Sequence, residues 1–267
     1  MVIKVLAAMN ANFDCASKQE IQQIIQLGIS PDRIIFANPT KCPSHIKFAK
    51  SLGVKKMTVD GKLELFKIKE LFPEAKIVIR FRCDSNSFAK YINLGIKYGC
   101  EPGDEAKELI QLAKDLDLIL YGFSFHVGSP CREFNAYKRG IEICKDLITF
   151  AKSIGCEDIK LIDIGGGFPG ESGIEIEEPI SNKKFSSTLW GPTLDSFDCI
   201  IKDVLLPEYE IGDWLVWSDM GAYGTSIVSK FNGFMPPEIL PFIRKSQWQD
   251  FCAIIGRNVN CHLFELE

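Results

Sequence analysis

Leu161-Ile162-Asp163-Ile164-Gly165-Gly166-Gly167-Phe168-Pro169-Gly170 carries an apolar strand straight into three consecutive glycines. Such a run bares the backbone. Without side chains in the way, successive main-chain N–H groups can converge on an anion such as a phosphate, and φ can take positive values closed to other residues. A tight strand-to-loop turn without a ligand accounts for a bare triple glycine equally well, so the flanking segments decide what it means.

Upstream, short β-type runs alternate with amphipathic helical stretches. Phe13-Asp14-Cys15-Ala16-Ser17 ends a strand, and Ser17 with Glu20 three residues on forms a capping box for a helix over Lys18 to Leu27 that Gly28 closes. Arg33-Ile34-Ile35-Phe36-Ala37-Asn38-Pro39 predicts a buried strand, followed by a helix from Ser44 to Leu52 closed by Gly53. The unit repeats with the strand Lys56 to Asp60, the helix Gly61 to Leu71 and the strand Lys76 to Phe81. A helix over Asp104 to Leu116, the strand Leu120 to Phe125 and a helix over Glu133 to Ile154 then lead to the glycine strand. These beats predict a parallel α/β architecture. Asp14, Asn38, Asp60, Arg80, His126 and Asp163 gather at the C-terminal strand ends, which favours a (β/α) barrel, where those ends share the face on which sites are built. Beyond Gly170 the pattern changes. Glu171 to Lys184 is polar, acidic and aperiodic, and β-type segments follow, which places a domain boundary near residue 180: a partial barrel over 1–180 and a partial β domain over 181–267.

Composition narrows the function classes. With 267 residues, 46% hydrophobic and 25% charged, the chain can bury a sizeable core, and a net charge of −4 gives no basic footprint for nucleic acid. No apolar run reaches membrane-span length, and Met1 to Met9 lacks a cleavage pattern for a secretory signal. The ten cysteines are scattered through a chain too large to need a disulfide framework, so they read as free thiols of a reducing, cytoplasmic compartment. No C-x-x-C pair occurs and the three histidines are dispersed, so no metal site is expected.

Individually the polar strand-end residues leave two readings open. His126 precedes Val127-Gly128-Ser129 and is either a satisfied structural imidazole or a ring-stacking group. Ser129 suits a phosphate donor or a helix cap, Arg80 an anion-binding group or a rim ion pair, and Asp14 and Asp163 either tune a cofactor or cap turns.

As a set, these residues resemble one family. Phe13-Asp14-Cys15-Ala16-Ser17-Lys18, Ala37-Asn38-Pro39, Ser124-Phe125-His126-Val127-Gly128-Ser129, Asp163-Ile164-Gly165-Gly166-Gly167-Phe168-Pro169, Trp190-Gly191-Pro192-Thr193, Met220-Gly221-Ala222-Tyr223 and Phe231-Asn232-Gly233-Phe234 look like eukaryotic ornithine decarboxylase, in the same order over most of residues 2 to 237. The resemblance implies a pyridoxal 5'-phosphate (PLP) enzyme of polyamine synthesis that converts L-ornithine to putrescine, is a homodimer, and has antizyme as a partner and antizyme inhibitors among its relatives. It implies an alanine-racemase-like barrel followed by a β domain. By position, His126 would stack on the pyridine ring, Ser129 with Gly165, Gly166 and Gly167 would hold the phosphate, and Tyr223 would reach it from the β domain. Asp14 and Arg80 would belong to the surrounding shell, and Asp195 would match the aspartate that receives the distal amine of ornithine.

Three departures qualify that expectation. The family's Schiff-base lysine, in a Tyr-Ala-Val-Lys context on the first barrel strand, has no counterpart, since Val2 to Ala8 aligns with the following helix and Lys4 is not that lysine. The eighth-strand Glu-Pro-Gly-Arg motif and the Asn-Asp-Gly segment are missing between Gly170 and Trp190. Leu194 stands where the family has its catalytic cysteine. Six strands, the second to seventh of a (β/α)8 barrel, would leave a wedge of wall open and two strand edges exposed. Each large buried side chain is worth about 1.5–3 kcal/mol against a net stability of about 5–15 kcal/mol, so poor autonomous folding and weak cofactor capture are expected. The resemblance thus implies an ornithine decarboxylase family chain that is inactive alone. Its alternatives are a non-catalytic homologue that binds antizyme or an intact decarboxylase subunit, through a segment from Asn38 to Asp60 made basic by Lys41, Lys47, Lys50, Lys55 and Lys56, or a PLP-binding relative acting on another basic amino acid.

Overall fold

The computed structural model describes residues 2–83, 97–129, 131, 133–168, 183–191, 193–195 and 197–211, and beyond them residues 215, 224, 228, 231–233, 235–236, 239, 244 and 246–249. The chain divides into two units, Met1–Pro169 with Lys245–Glu267, and Gly170–Arg244.

In the first unit, α1 (Val2–Ala8) precedes six strands: β1 (Phe13–Cys15), β2 (Ile34–Phe36), β3 (Lys56–Val59), β4 (Lys76–Arg80), β5 (Ile119–Ser124) and β6 (Leu161–Asp163). Between them run α2 (Lys18–Gln26), α3 (Pro43–Ser51), α4 (Lys62–Leu71), α5 (Asp104–Asp115) and α6 (Phe134–Ser153). The strands form one all-parallel sheet in sequence order, the wall of an incomplete (β/α) barrel in which β1 and β6 are the outer strands. Register fixes which side chains share a face. Thr58 lies opposite Val78, Arg80 opposite Ser124, and Ser124 opposite Asp163. Side chains alternate along a strand, so Thr58, Val78, Arg80, Ser124 and Asp163 all stand on one side of the sheet.

Local chemistry sets the element ends. The Ser17 hydroxyl accepts the Glu20 N–H at 3.2 Å, and the Glu20 carboxylate reaches back to the Ala16 N–H, one residue before the cap, at 2.5 Å. Gly28 and Gly53 close α2 and α3 at φ +76° and +75°, a region costly for a side chain. The core is aromatic and branched: Phe36, Phe81, Phe123, Phe125, Ile77 and Ile79 are fully buried, and the Phe81 and Phe125 rings meet at 5.5 Å. Along α6 the buried residues are Ala136, Tyr137, Gly140, Cys144, Leu147 and Ala151, a helical stripe against the sheet. Gly140 lies against the ring of Phe125 so closely that a methyl there would overlap it.

One expectation is corrected here. Lys41 is not part of a basic surface; it is 2% exposed. Its ammonium lies 3.0 Å from the Glu64 carboxylate and donates to the carbonyls of Asn38 and Thr58, so a loop after β2, the end of β3 and α4 are tied by one cation. A buried ammonium survives where every proton has an acceptor, which composition alone does not reveal.

In the second unit, β7 (Lys184–Trp190) and β8 (Cys199–Pro207) pair antiparallel, with Lys184 opposite Pro207 and Trp190 opposite Cys199. Among the described residues no helix is long and apolar enough to cross a membrane, no group of metal-ligating side chains forms, and the eight described cysteines are free.

Candidate functional site

Most of the polar residues at the C-terminal strand ends of the first unit, though not Asn38 or Asp60, line one cleft. Asp14 (β1), Thr58 (β3), Arg80 (β4), Ser124 (β5), His126 and Gly165 surround it, with Ala37, Phe125 and Asp163 completing the wall. It encloses about 280 Å³, counting the space open to solvent. Of the residues singled out in the sequence, Asp14, Arg80, His126, Asp163 and Gly165 are brought together in this way.

His126 follows β5, and its Nδ1 accepts the backbone N–H of Gly128 at 3.0 Å, which leaves the proton of the neutral ring on Nε2. Burial lowers the imidazole pKa, and the nearby Arg80 charge lowers it further against the pull of Asp163. The ring is therefore neutral at pH 7. Arg80 stands over the Tyr98 ring at 5.2 Å. Burial lowers its pKa, opposed by Asp60, Asp163 and Asp14. Asp14 is reached by solvent through the cleft, yet the surrounding protein, then Asp163 and Glu20, push its carboxyl up to about 6 against the opposing charge of Arg80. Thr58 and Ser124 add a feature that the sequence reading missed: both are buried, and neither hydroxyl has a hydrogen-bond partner among the described residues. Two orphaned hydroxyls facing a cleft beside a guanidinium suit a polar guest.

The glycine loop borders this cleft. Asp163 Oδ1 accepts the Gly165 N–H at 2.9 Å, and the β5 and β6 loops are joined through the Phe125 N–H to the Asp163 carbonyl at 3.0 Å. Gly165 and Gly167 sit at φ +66° and +87°. A methyl at Gly165 would come within 2.6 Å of the Phe125 carbonyl oxygen, and one at Gly167 would overlap the carbonyl of Gly128. Glycine is thus required twice over, by backbone conformation and by space. No acceptor among the described residues takes the N–H of Gly166, Gly167 or Phe168. The result is a cradle of unpaired donors, with the neutral imidazole close by: the Gly166 β-position is 3.5 Å from His126 Nε2. Ser129 is half-buried next to Gly128, at the point where the two loops touch. These residues fit a phosphate on a planar ring.

The other singled-out positions lie in the second unit. Asp198 organises the Trp190 loop, accepting the N–H and hydroxyl of Thr193 at 2.9 and 2.7 Å, which hold its carboxyl below the usual carboxylate range. Leu194 is 89% exposed and donates its N–H to Asn232, while Asp195 is exposed and caps the N–H of Phe197 at 2.9 Å. Tyr223 lies outside the described residues.

The chain is similar to known proteins over most of its length. Residues 1–198 match the family model "Pyridoxal-dependent decarboxylase, pyridoxal binding domain". The chain is 32% identical to a probable ornithine decarboxylase of Dictyostelium discoideum, over 89% of this chain and 70% of that protein. It is 31% identical to antizyme inhibitor 2 of Xenopus laevis, over 93% and 74%. The Dictyostelium alignment spans 329 positions against the 267 residues of this chain, so the relative carries internal stretches that this chain lacks. Among solved structures, the arginine decarboxylase of Paramecium bursaria Chlorella virus bound to agmatine superposes with a TM-score of 0.80 at 31% identity, over 87% of this chain and 84% of that one. The chain belongs to the pyridoxal-dependent decarboxylase family, in its ornithine decarboxylase-like group.

Proposed function

We propose that this chain is a PLP-binding member of the ornithine decarboxylase group whose own turnover of L-ornithine to putrescine is lost or severely impaired. One observation carries the reading: the N–H groups of Gly166, Gly167 and Phe168, which find no acceptor among the described residues, beside a neutral His126. In it, Gly165 to Gly167 and Ser129 hold the phosphate, with Tyr223 as a further donor. His126 lies against the ring, and Asp14 and Arg80 set the field around it. PLP, when bound, supplies the electron sink for the pair left by a departing carboxylate. This chain's residues contribute binding and orientation, and the neutral imidazole can cover a ring face without adding a charge. Impaired turnover follows from Leu194, which has no ionisable thiol to hold or deliver a proton, and from the absence of a Glu-Pro-Gly-Arg segment between Gly170 and Trp190. Asp195 would meet the substrate's distal amine in a homodimer. The proposed domains are 1–180 and 181–267, and the proposed location is cytoplasmic.

The test is direct. Purified chain is titrated with PLP by absorbance and by equilibrium dialysis, then assayed for CO2 release from L-ornithine. Saturable binding with no CO2 release supports the reading; no binding removes it, and turnover at the rate of an active relative removes the claim of impairment.

A second reading has its own support in the similarity to an antizyme inhibitor. Under it the chain binds antizyme or an intact decarboxylase subunit without catalysis. The segment it would use is Asn38 to Asp60, on which Lys47, Lys50 and Lys55 are exposed while Lys41 is buried. A pull-down with purified antizyme and with an intact decarboxylase decides this; no association with either removes it.

A further inference from the structure

Tyr137 occupies the fourth position of α6 and is 9% exposed. Its hydroxyl donates to the carbonyl of Gly166 at 3.0 Å, and its ring stacks on Phe168 at 4.6 Å with 10° between the planes. The Cys131 N–H takes the next carbonyl, that of Gly167, at 2.7 Å. A trans peptide unit points its C=O and the following N–H in opposite directions. Holding the Gly166 carbonyl against α6 therefore turns the Gly167 N–H away from the helix, and the Cys131 N–H, by holding the Gly167 carbonyl, turns the Phe168 N–H away from Cys131. These are among the donors that no acceptor of the described residues takes.

A loop of three glycines has the largest conformational freedom of any tripeptide, and aiming its donors costs more entropy than aiming those of other residues. Fixation must come from outside the loop. It comes from a helix that is itself held close: Ala136 is fully buried, and Gly140 lets α6 lie directly on Phe125, the residue before His126. Resting on the reading of this loop as a phosphate cradle, we infer that Tyr137 is a positioning residue that aims the Gly167 N–H at the ligand's phosphate by holding the Gly166 carbonyl from behind. It makes no contact with the ligand. Its selectivity is for the phosphorylated form of the cofactor over the unphosphorylated aldehyde.

The test uses Tyr137→Phe in the full chain, which keeps the ring on Phe168 and removes only the hydroxyl. PLP and pyridoxal affinities are measured for both proteins, with amide hydrogen exchange of residues 165–168 and thermal unfolding alongside. The expected result is PLP binding weakened about five- to tenfold, the effect of one hydrogen bond, with pyridoxal binding unchanged and faster exchange at Gly167. A variant that keeps the wild-type preference for PLP over pyridoxal overturns the inference, as does one whose loop amides exchange at wild-type rates. Equal loss of PLP and pyridoxal binding also overturns it, since that marks a general structural defect. If the wild type itself shows no preference for PLP, the cradle reading fails, and the exchange rates still decide whether Tyr137 braces the loop.

Discussion

His126 Nδ1 accepts the Gly128 N–H at 3.0 Å, so the imidazole that borders the glycine cradle is locked into one tautomer and its loop is fixed by the same bond. Protonating Nδ1 would break that bond and place a second cation near Arg80. The pKa of His126 in the folded chain is lowered from its ordinary 6.5, chiefly by burial. As pH falls below 6.5 the unfolded chain takes up this proton before the folded one, and the stability owed to the neutral ring is lost progressively down through the folded-state pKa. Nitrogen NMR should show the Nε2–H tautomer at pH 7 and a midpoint below 6.5. A midpoint above 6.5 would contradict the assignment.

Asp14 acts with the opposite sign. Its carboxyl titrates at about 6 rather than 3.8, so the folded state holds a proton that the unfolded state has released between those values, and stability from this group falls as pH rises through that window. Asp14→Asn should raise the melting temperature at pH 7 and leave it unchanged below pH 4. Because solvent reaches the side chain, screening reduces the gain to about 1 kcal/mol or less. Melting curves at the two pH values check it, and equal shifts at both would rule out a charge effect.

The Lys41–Glu64 pair sets the stability of the β2–β3 side of the cleft. Burial lowers the Lys41 pKa to about 8, with Glu64 opposing. Glu64 also pairs with Lys67 at 2.6 Å, and Lys67 in turn donates to the Lys41 carbonyl. Glu64→Leu alone strands the buried Lys41 ammonium and should cost about 3–5 kcal/mol, Lys41→Met leaves Glu64 paired with Lys67 and should cost less, and the double variant should cost clearly less than the sum. Urea unfolding of the three variants measures this; additive losses would mean that the two side chains do not interact.

How much of this was legible in the sequence depends on the range of the interaction. The α2 cap was readable from Ser17 and Glu20 because it spans one helical turn, although the carboxylate bonds Ala16 rather than the cap residue. The strand-end positions of Asp14, Arg80 and His126 were readable because each follows a β-type run, and a parallel wall brings such ends to one face. Lys41 was misread because a lysine in a polar segment looks solvated until the tertiary fold supplies Glu64 and three carbonyls. Tyr137 was missed because its partner lies 29 residues away, in a loop that no periodicity links to α6. Thr58 and Ser124 show only in register, which places them on the face of Arg80.

The two later glycines of the cradle should respond differently to the same substitution. Gly167 needs φ +87°, and a methyl there would run into the Gly128 carbonyl, a backbone atom that cannot swing aside. Gly166 has no positive φ, and the nearest obstacle to a methyl is His126 Nε2 at 3.5 Å, an ordinary van der Waals distance. Gly167→Ala should therefore cost about 1–3 kcal/mol in stability through backbone strain alone and abolish PLP binding. Gly166→Ala should change stability by less than about 1 kcal/mol and act mainly on the neighbouring ring. Melting temperatures and PLP titrations of the two variants test this. Equal damage from both would show that the loop tolerates no side chain anywhere, and that the argument from φ and space at Gly167 does not account for its glycine.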